Sequence, residues 1–112
     1  MKDPQDRVPP VRVTDEPQRA IVRVGGEIDI DRAPLLQEAL HTVITRPECP
    51  DEIVVDLTGL TFRDSSGLNA LLHARLTAAE YGRYITLHAP TPQVLRLLEI
   101  TGVDSIFHVT GT

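Results

Sequence analysis

The sequence predicts an α/β fold in which an opening β-hairpin is followed by βαβα units. Short β-branched runs alternate along the chain with longer stretches whose apolar residues follow helical three/four spacing. Glycine or proline marks most of the boundaries between these segments. Strands that alternate with helices form sheets whose parallel neighbours are joined by right-handed crossovers. We therefore expect a mixed sheet of roughly four to five strands flanked by helices.

The N-terminal part of the chain predicts an arm and a hairpin. Residues 1–10 carry three prolines among charged residues, so we expect a flexible arm ahead of a single domain over residues 11–112. Apolar alternation at residues 11–13 and a β-branched run over residues 20–24 predict two strands. Pro17 lies between them in a turn-forming segment. These two strands form the predicted hairpin.

The middle of the chain predicts the first helix and two further strands. We expect the helix to be capped by Asp31 and to stop before Pro47. Ile53–Leu57 is short and almost continuously apolar, which is typical of a central strand covered on both faces. Tyr84–His88 reads as the next strand. Ile106–Val109 supplies either a last strand or a packing segment.

Two more helices are predicted in the second half of the chain. One runs from about Ser66 to Tyr81, with Gly82 placed to terminate it. The other begins after Thr91, which is followed by proline at the first helical position, and ends at Gly102. The expected core face of the first of these helices consists of Leu68, Leu71, Leu72, Leu76 and Ala79.

Composition excludes several classes of function. The formal charge of −5 argues against nucleic acid or an anionic membrane as the main partner. The only cysteine, Cys49, allows neither an intrachain disulfide nor a cysteine-based zinc cluster. The four histidines are scattered and match no metal-binding spacing. Because the P-loop and nucleophile-elbow motifs are also absent, we expect a protein that is not an enzyme and needs no cofactor.

The sequence also bears on where the protein works. It has no apolar stretch near the roughly 20 residues of a membrane span, and its first residues lack the core of a signal peptide. We therefore expect a cytoplasmic protein. The chain is short and has no long exposed apolar run, which favours a monomer when the protein is free.

The segment Asp64-Ser65-Ser66-Gly67 is the strongest functional signal. It lies between a predicted strand and a predicted helix, where unpaired N–H groups and the helix dipole favour an anion. Phosphorylation of Ser65 would add about −1.5 to −2 charges, and Asp64 would keep the site negative. A partner that accepts the neutral serine would then meet an uncompensated charge in its interface. The pattern predicts a phosphorylation switch.

Other interpretations of the two serines stay open at this point. Ser65 or Ser66 could simply cap the helix, in which case the protein would be a constitutive scaffold; an enzyme or a small-ligand module is a third possibility. A capping box would need Glu or Gln three residues on, and neither Leu68 nor Asn69 supplies it. Gly67 costs about 1 kcal/mol relative to alanine in a helix, so it points to close approach of a partner to the backbone.

Residues 63–66 are called the serine loop below. A row of polar residues extends from this loop along the predicted helix. Asn69, His73 and Thr77 recur every four residues and therefore share one face. Such a row is commonly just a solvated face. If a partner grips Ser65, the same row is its natural docking surface.

Three segments resemble the anti-sigma factor antagonist branch of the STAS-domain family. Asp64–Leu68, preceded by residues 54–58, resembles the family's phosphorylated loop. Val24–Asp29 resembles its Gly-Glu-(Leu/Ile)-Asp segment, and Val94–Val103 resembles its C-terminal helix and following turn. The resemblance implies the STAS fold and a partner-switching cycle.

In that cycle the unphosphorylated antagonist binds a GHKL-type anti-sigma factor with serine kinase activity and frees a sigma factor. The resemblance implies that this kinase uses ATP to phosphorylate Ser65, and that a PP2C-like phosphatase reverses the reaction. The ATP and its metal belong to those partners. By the same resemblance, Ser66 helps to cap the helix and is the weaker candidate acceptor.

The resemblance assigns further residues to the site. The expected neighbours of the phosphate are Asp64, Ser66, Gly67 and Asp29. The expected partner-binding residues are Arg63, Asn69, His73, Glu27 and Asp31. Two of them depart from the family pattern: Arg63 stands where an apolar residue is usual, and Asn69 stands where a small residue is common. These departures bear on which kinase the protein recognises.

Overall fold

Residues 11–111 are described by a computed structural model, so the predicted arm over residues 1–10 lies outside the described residues. The strands are β1 (Val11–Asp15), β2 (Arg19–Val24), β3 (Gly26–Ile28), β4 (Glu52–Asp56), β5 (Leu60–Phe62), β6 (Tyr84–His88) and β7 (His108–Thr110). The helices are α1 (Ala33–Ile44), α2 (Ser66–Glu80) and α3 (Pro92–Thr101), and a single 3₁₀ turn (Val103–Ser105) follows α3.

The strands form one mixed sheet and one small ribbon. Five strands pair in the order β1-β2-β4-β6-β7. β1 and β2 form the antiparallel hairpin, and the other neighbours are parallel. This confirms the predicted fold class. β3 and β5 form a separate parallel pair that the sequence did not predict, because three residues are too few to show an alternating pattern.

The two faces of the five-stranded sheet differ in chemistry. Val22, Val55 and Leu87 are cross-strand partners, and each is fully buried in the core. Along the other face, Arg23 of β2 lies beside Asp56 of β4, with 3.6 Å between Nε and Oδ2. The middle of the central strand β4 is buried, but the predicted cover on both faces is wrong: Ile53 and Val55 lie in the core, whereas Val54 lies on the polar face with Arg23 and Asp56. The core therefore lies on the side of the sheet where α1 and α2 pack against β2 and β6.

The N-cap of the first helix lies one residue later than predicted. Asp31 was expected at the N-cap, but Arg32 occupies that position, and its side chain makes no capping bond. Instead, Oδ1 of Asp29 accepts hydrogen bonds from the backbone N–H groups of Asp31 (3.1 Å) and Arg32 (3.0 Å). An aspartate can close a turn of its own in this way, by accepting from the N–H groups two and three residues further on. The expected end before Pro47 is confirmed, because α1 ends at Ile44.

The ends of the later elements agree with the sequence analysis. Gly82, which follows α2 after Tyr81, and Gly102, which directly follows α3, adopt positive φ values of 69° and 75°. Thr91 caps α3 by accepting a hydrogen bond from the N–H of Val94 at 3.4 Å. The last apolar segment forms β7, which pairs in parallel with β6.

The core face of α2 was predicted only in part. Leu68 and Leu71 are buried as expected, but Leu76 is 58% exposed and Ala79 is also exposed. Ala74 and Ala78 are buried in their place, which continues the helical spacing from Leu71. α1 packs on this helix, and the small alanines allow that approach. The prediction was wrong for Leu76 and Ala79, because the buried face of the helix continues from Leu71 through Ala74 and Ala78 instead.

This assignment predicts very different costs for two leucine truncations on one helix. Leu71→Ala should lower the free energy of unfolding by about 2–5 kcal/mol, because it opens a cavity in the core. Leu76→Ala, the matched control, should change it by no more than about 0.5 kcal/mol. Urea unfolding followed by circular dichroism measures both. Similar losses in the two variants would contradict the orientation of α2 described above.

Candidate functional site

The serine loop is positioned by the short strand β5, which ends at Phe62 immediately before it. β5 runs parallel to β3, with Phe62 opposite Ile28. The N–H of Arg63 donates to the carbonyl of Ile28 at 2.9 Å, so this pairing extends one residue into the loop. The loop therefore leaves the β3–β5 ribbon at a fixed point.

The other edge of β5 is held by side chains of α3. The N–H of Phe62 donates to Oε1 of Gln93 at 2.8 Å, and Nε2 of Gln93 donates to the carbonyl of Phe62. The hydroxyl of Thr91 donates to the carbonyl of Leu60 at 2.8 Å. The Gln93 amide thus pairs with both the N–H and the carbonyl of one residue, as a neighbouring strand would. Sequence reasoning missed Gln93 because no local pattern marks a glutamine that pairs with a distant strand.

The two serines are in different situations. Ser65 occupies the N-cap position of α2, but its side chain makes no capping hydrogen bond and the residue is exposed. The hydroxyl of Ser66 donates to Oδ1 of Asp64, which also accepts from the N–H of Ser66 at 2.9 Å. The expected capping by the serines is therefore corrected: Asp64 supplies the acceptor, and Ser66 is bound to it.

The carboxylate of Asp64 is held in its charged form. The Ser66 hydroxyl lowers the pKa of Asp64 below its ordinary value, and the backbone N–H of Ser66 adds to that effect. The nearby backbone of Ile30 and the positive charge of Arg63 lower the pKa of Asp64 as well. The loop thus carries a fixed negative charge directly before Ser65.

Gly67 has an internal packing role. It is buried, and a methyl group in its place would overlap the ring of Phe62, at 2.5 Å from Cε1. The sequence interpretation, that a small residue here admits a partner to the backbone, is therefore wrong. The glycine lets the first turn of α2 rest against the last residue of β5.

The structure brings the acidic segment after β3 next to the serine loop. The backbone of Ile30 lies close enough to Asp64 to help lower the pKa of that carboxyl, so the two loops are neighbours. Asp29, an expected neighbour of the phosphate, is used in the turn before α1 and lies 3.6 Å from Nη1 of Arg32. Asp31 is exposed on the same segment. Ile30 itself is 71% exposed, an apolar side chain beside the site that the sequence analysis missed.

The expected partner-binding residues lie on both sides of the loop. Asn69 and His73 are exposed on α2, and Leu76 extends the same face. Thr77, the third member of the predicted row, is half-buried, and its hydroxyl donates to the carbonyl of His73 at 3.1 Å. Glu27 on β3 is exposed and faces Arg63, with 3.7 Å between Oε1 and Nη1.

Two chemical features can be checked directly over residues 11–111. No group of three or more His, Cys, Asp or Glu residues in this part of the chain could hold a metal ion. None of the helices described there is long and apolar enough to cross a membrane. What the loop itself offers is an exposed hydroxyl on a helix N-terminus, beside an ionised carboxylate.

Known proteins are similar to this chain in sequence and in fold. A sequence profile described as "Mlab, STAS domain" matches residues 11–109. The anti-sigma-B factor antagonist of Staphylococcus epidermidis is 30% identical over 88 residues, which cover 79% of this chain and 80% of that protein. These similarities extend over most of the described residues.

Solved structures are similar as well. The crystal structure of an anti-sigma factor antagonist from Mycobacterium paratuberculosis has 29% identity and a TM-score of 0.78, covering 91% of this chain and 85% of its own. The anti-sigma factor antagonist SpoIIAA in its unphosphorylated form has 19% identity and a TM-score of 0.74, covering 91% and 88%. SpoIIAA of Bacillus in its phosphorylated form has 18% identity and a TM-score of 0.69, covering 91% of both chains. At such identities, the likeness to SpoIIAA concerns the fold alone.

The depressed pKa of Asp64 predicts how this carboxylate contributes to stability. Because the folded state lowers this pKa, the contribution is present above the ordinary value of 3.8 and is lost as pH falls through the folded value. Asp64→Asn should therefore melt at a lower temperature than the wild type near pH 6, and the gap should shrink below about pH 4. Thermal melts between pH 2 and 7 measure this; Asp51→Asn, at an exposed carboxylate outside the loop, is the control. A gap that stays constant down to pH 2 would contradict the role given to Asp64.

Proposed function

The chain belongs to the STAS-domain family of anti-sigma factor antagonists, and we propose that it acts as a partner switch controlled by phosphorylation of Ser65. Proteins of this type are regulatory binding proteins rather than enzymes. In the proposed cycle the unmodified protein binds a GHKL-type anti-sigma factor in the cytoplasm and thereby frees a sigma factor. The anti-sigma factor also acts as the serine kinase, and a PP2C-like phosphatase reverses the modification.

The covalent step takes place at the Ser65 hydroxyl. The γ-phosphoryl group of ATP, held by the kinase, moves to Oγ of Ser65; the hydroxyl proton is released and ADP leaves. The phosphatase hydrolyses the ester to restore the serine and free phosphate. This chain supplies only the acceptor and its presentation.

The observation that supports the proposal is the different bonding of the two serines. Ser66 is engaged with Asp64, whereas the Ser65 side chain is exposed and takes no part in capping α2. The hydroxyl of Ser65 can therefore be modified without removing a hydrogen bond that holds the fold. Ser66 offers no such freedom, which supports Ser65 as the acceptor.

Electrostatics explains why the modification would break a complex yet preserve the domain. A phosphate at the N-terminus of α2 is favoured by the helix dipole by about 0.3–1 kcal/mol. In an interface shaped for a neutral serine, the same phosphate lies beside ionised Asp64 and must lose its water. Like-charge juxtaposition of that kind costs several kcal/mol, and each 1.4 kcal/mol weakens binding tenfold.

The proposed docking surface flanks Ser65 on two sides. The exposed face of α2 presents Asn69, His73 and Leu76, and the loop after β3 presents Ile30. Burying these two exposed apolar side chains against a partner would stabilise a complex, and the neighbouring polar residues would set specificity. A partner that covers this surface would exclude water around a phosphate on Ser65.

Mass spectrometry of intact protein and peptides tests the modification. After incubation with ATP, Mg²⁺ and each GHKL-type kinase of the same genome, we expect a single phosphate on Ser65. Ser65→Ala should abolish it, and Ser66→Ala, the matched control, should retain it. A phosphate on Ser66, or none with any kinase, would overturn the proposal.

The same variant separates the switch from a constitutive scaffold. If Ser65 were only a cap, Ser65→Ala would cost about 1 kcal/mol of stability. Since its side chain makes no capping bond, we expect a change in the free energy of unfolding of less than about 0.5 kcal/mol. Chemical denaturation of the two proteins gives this difference.

A further inference from the structure

Arg63 forms a loose ion pair across the β3–β5 ribbon. Its Nη1 lies 3.7 Å from Oε1 of Glu27, and the two side chains are 70% and 54% exposed. Ion pairs this open contribute little, and a charge-assisted hydrogen bond would be nearer 2.7–2.9 Å. The backbone of Arg63 is nevertheless fixed by its hydrogen bond to Ile28. The guanidinium can therefore change partner while the loop keeps its shape.

We propose that Arg63 is the phosphate-binding residue of the switch, and that phosphorylation of Ser65 draws its guanidinium away from Glu27. The inference rests on the proposed function, since it describes the phosphorylated state of the same site. It assigns a role to a residue that lies outside the usual pattern of the family.

Reach and charge favour this exchange. Residues 63 and 65 are two apart, so their Cα atoms are at most about 7 Å from each other, within the span of an arginine and a phosphoserine. The charge of Arg63 already acts on Asp64, the residue between them. A phosphate offers three acceptor oxygens and about −1.5 to −2 charges, and arginine binds it with two parallel hydrogen bonds. Glu27 offers a single charge at a longer distance.

The neighbouring cation, Arg32, already binds other groups. Nη1 of Arg32 lies 3.6 Å from Oδ2 of Asp29 and donates to the carbonyl of Glu27 at 3.4 Å. Asp64 and Glu27 add negative charge around the loop. A phosphate on Ser65 therefore enters an acidic region in which Arg63 is the cation on its own loop.

The exchange would alter the surface at two points. The phosphate appears at the start of α2, and the carboxylate of Glu27 on β3 loses its cation. A partner that covers both elements would then meet two uncompensated charges after a single modification. Arg63 also stabilises the doubly charged phosphate, so it should hold the second pKa of that phosphate below the ordinary value of about 6.

A ³¹P NMR titration of protein carrying phosphoserine at position 65 tests the assignment. Phosphoserine is introduced during translation by an expanded genetic code, so no kinase is required. We expect Arg63→Gln to raise the second pKa of the phosphate by about 0.5, from the size of exposed ion pairs. Glu27→Gln should lower it, because the competing carboxylate is gone. Arg12→Gln, at an exposed arginine on β1, is the matched control and should leave it unchanged.

An Arg63→Gln titration that coincides with that of Arg12→Gln would overturn the role of Arg63. Circular dichroism melts establish that each variant is folded, so a shift cannot come from unfolding. The two proposals can be contradicted independently. An unshifted titration would contradict the role of Arg63 but not the phosphorylation of Ser65. If no kinase phosphorylates Ser65, the proposed switch is wrong. The titration can still be measured, because its phosphoserine is introduced without a kinase.

Discussion

The pairing of β5 is the constraint on which the site depends. This strand has only three residues, yet both of its edges are hydrogen-bonded: one to β3, the other to Gln93 and Thr91 of α3. A strand so short would be unstable with one free edge. Because both edges are satisfied, its end is fixed and the start of α2 is fixed with it. The position of the serine loop thus follows from contacts made by residues about 30 positions apart in the chain.

The second requirement is that the helix start be stable without Ser65. Asp64 accepts hydrogen bonds from the N–H and the hydroxyl of Ser66, and Gly67 lets the first turn lie on Phe62. The first turn of α2 is therefore held by Asp64 and Phe62, without a hydrogen bond from the Ser65 side chain. This arrangement leaves the hydroxyl of Ser65 available for chemistry, at a point where a new negative charge is tolerated by the helix and opposed by the neighbouring carboxylate.

The sequence predicted the elements that carry a repeating pattern. The hairpin, the central strand and the helices all have enough residues for their periodicity or their glycine and proline boundaries to show. β3 and β5 do not, so the small ribbon that orients the loop was missed. The cap of α1 was predicted at Asp31, whereas Arg32 is the N-cap and Asp29 supplies the acceptor; the two aspartates are equally good acceptors, and only the path of the turn distinguishes them.

The candidate site was predicted from its local motif, but the contacts that hold it in place were not predicted. The sequence alone shows a recognisable motif between a strand and a helix, Asp64-Ser65-Ser66-Gly67. The pairing of Gln93 with β5 and the exposure of Ile30 arise from tertiary packing and leave no local signal. Leu76 was assigned to the core from its hydrophobicity, whereas burial of two alanines turned it toward solvent. The distribution of large and small residues on α2 could be settled only by its packing against α1.

The central claim is that one phosphate on Ser65 decides whether the anti-sigma factor binds. The most direct test compares, by isothermal titration calorimetry, the affinity of the cognate anti-sigma factor for the unmodified protein and for the protein carrying phosphoserine at position 65. We predict that the modified protein binds at least about tenfold more weakly, which corresponds to 1.4 kcal/mol or more. Equal affinities for the two forms would contradict the account.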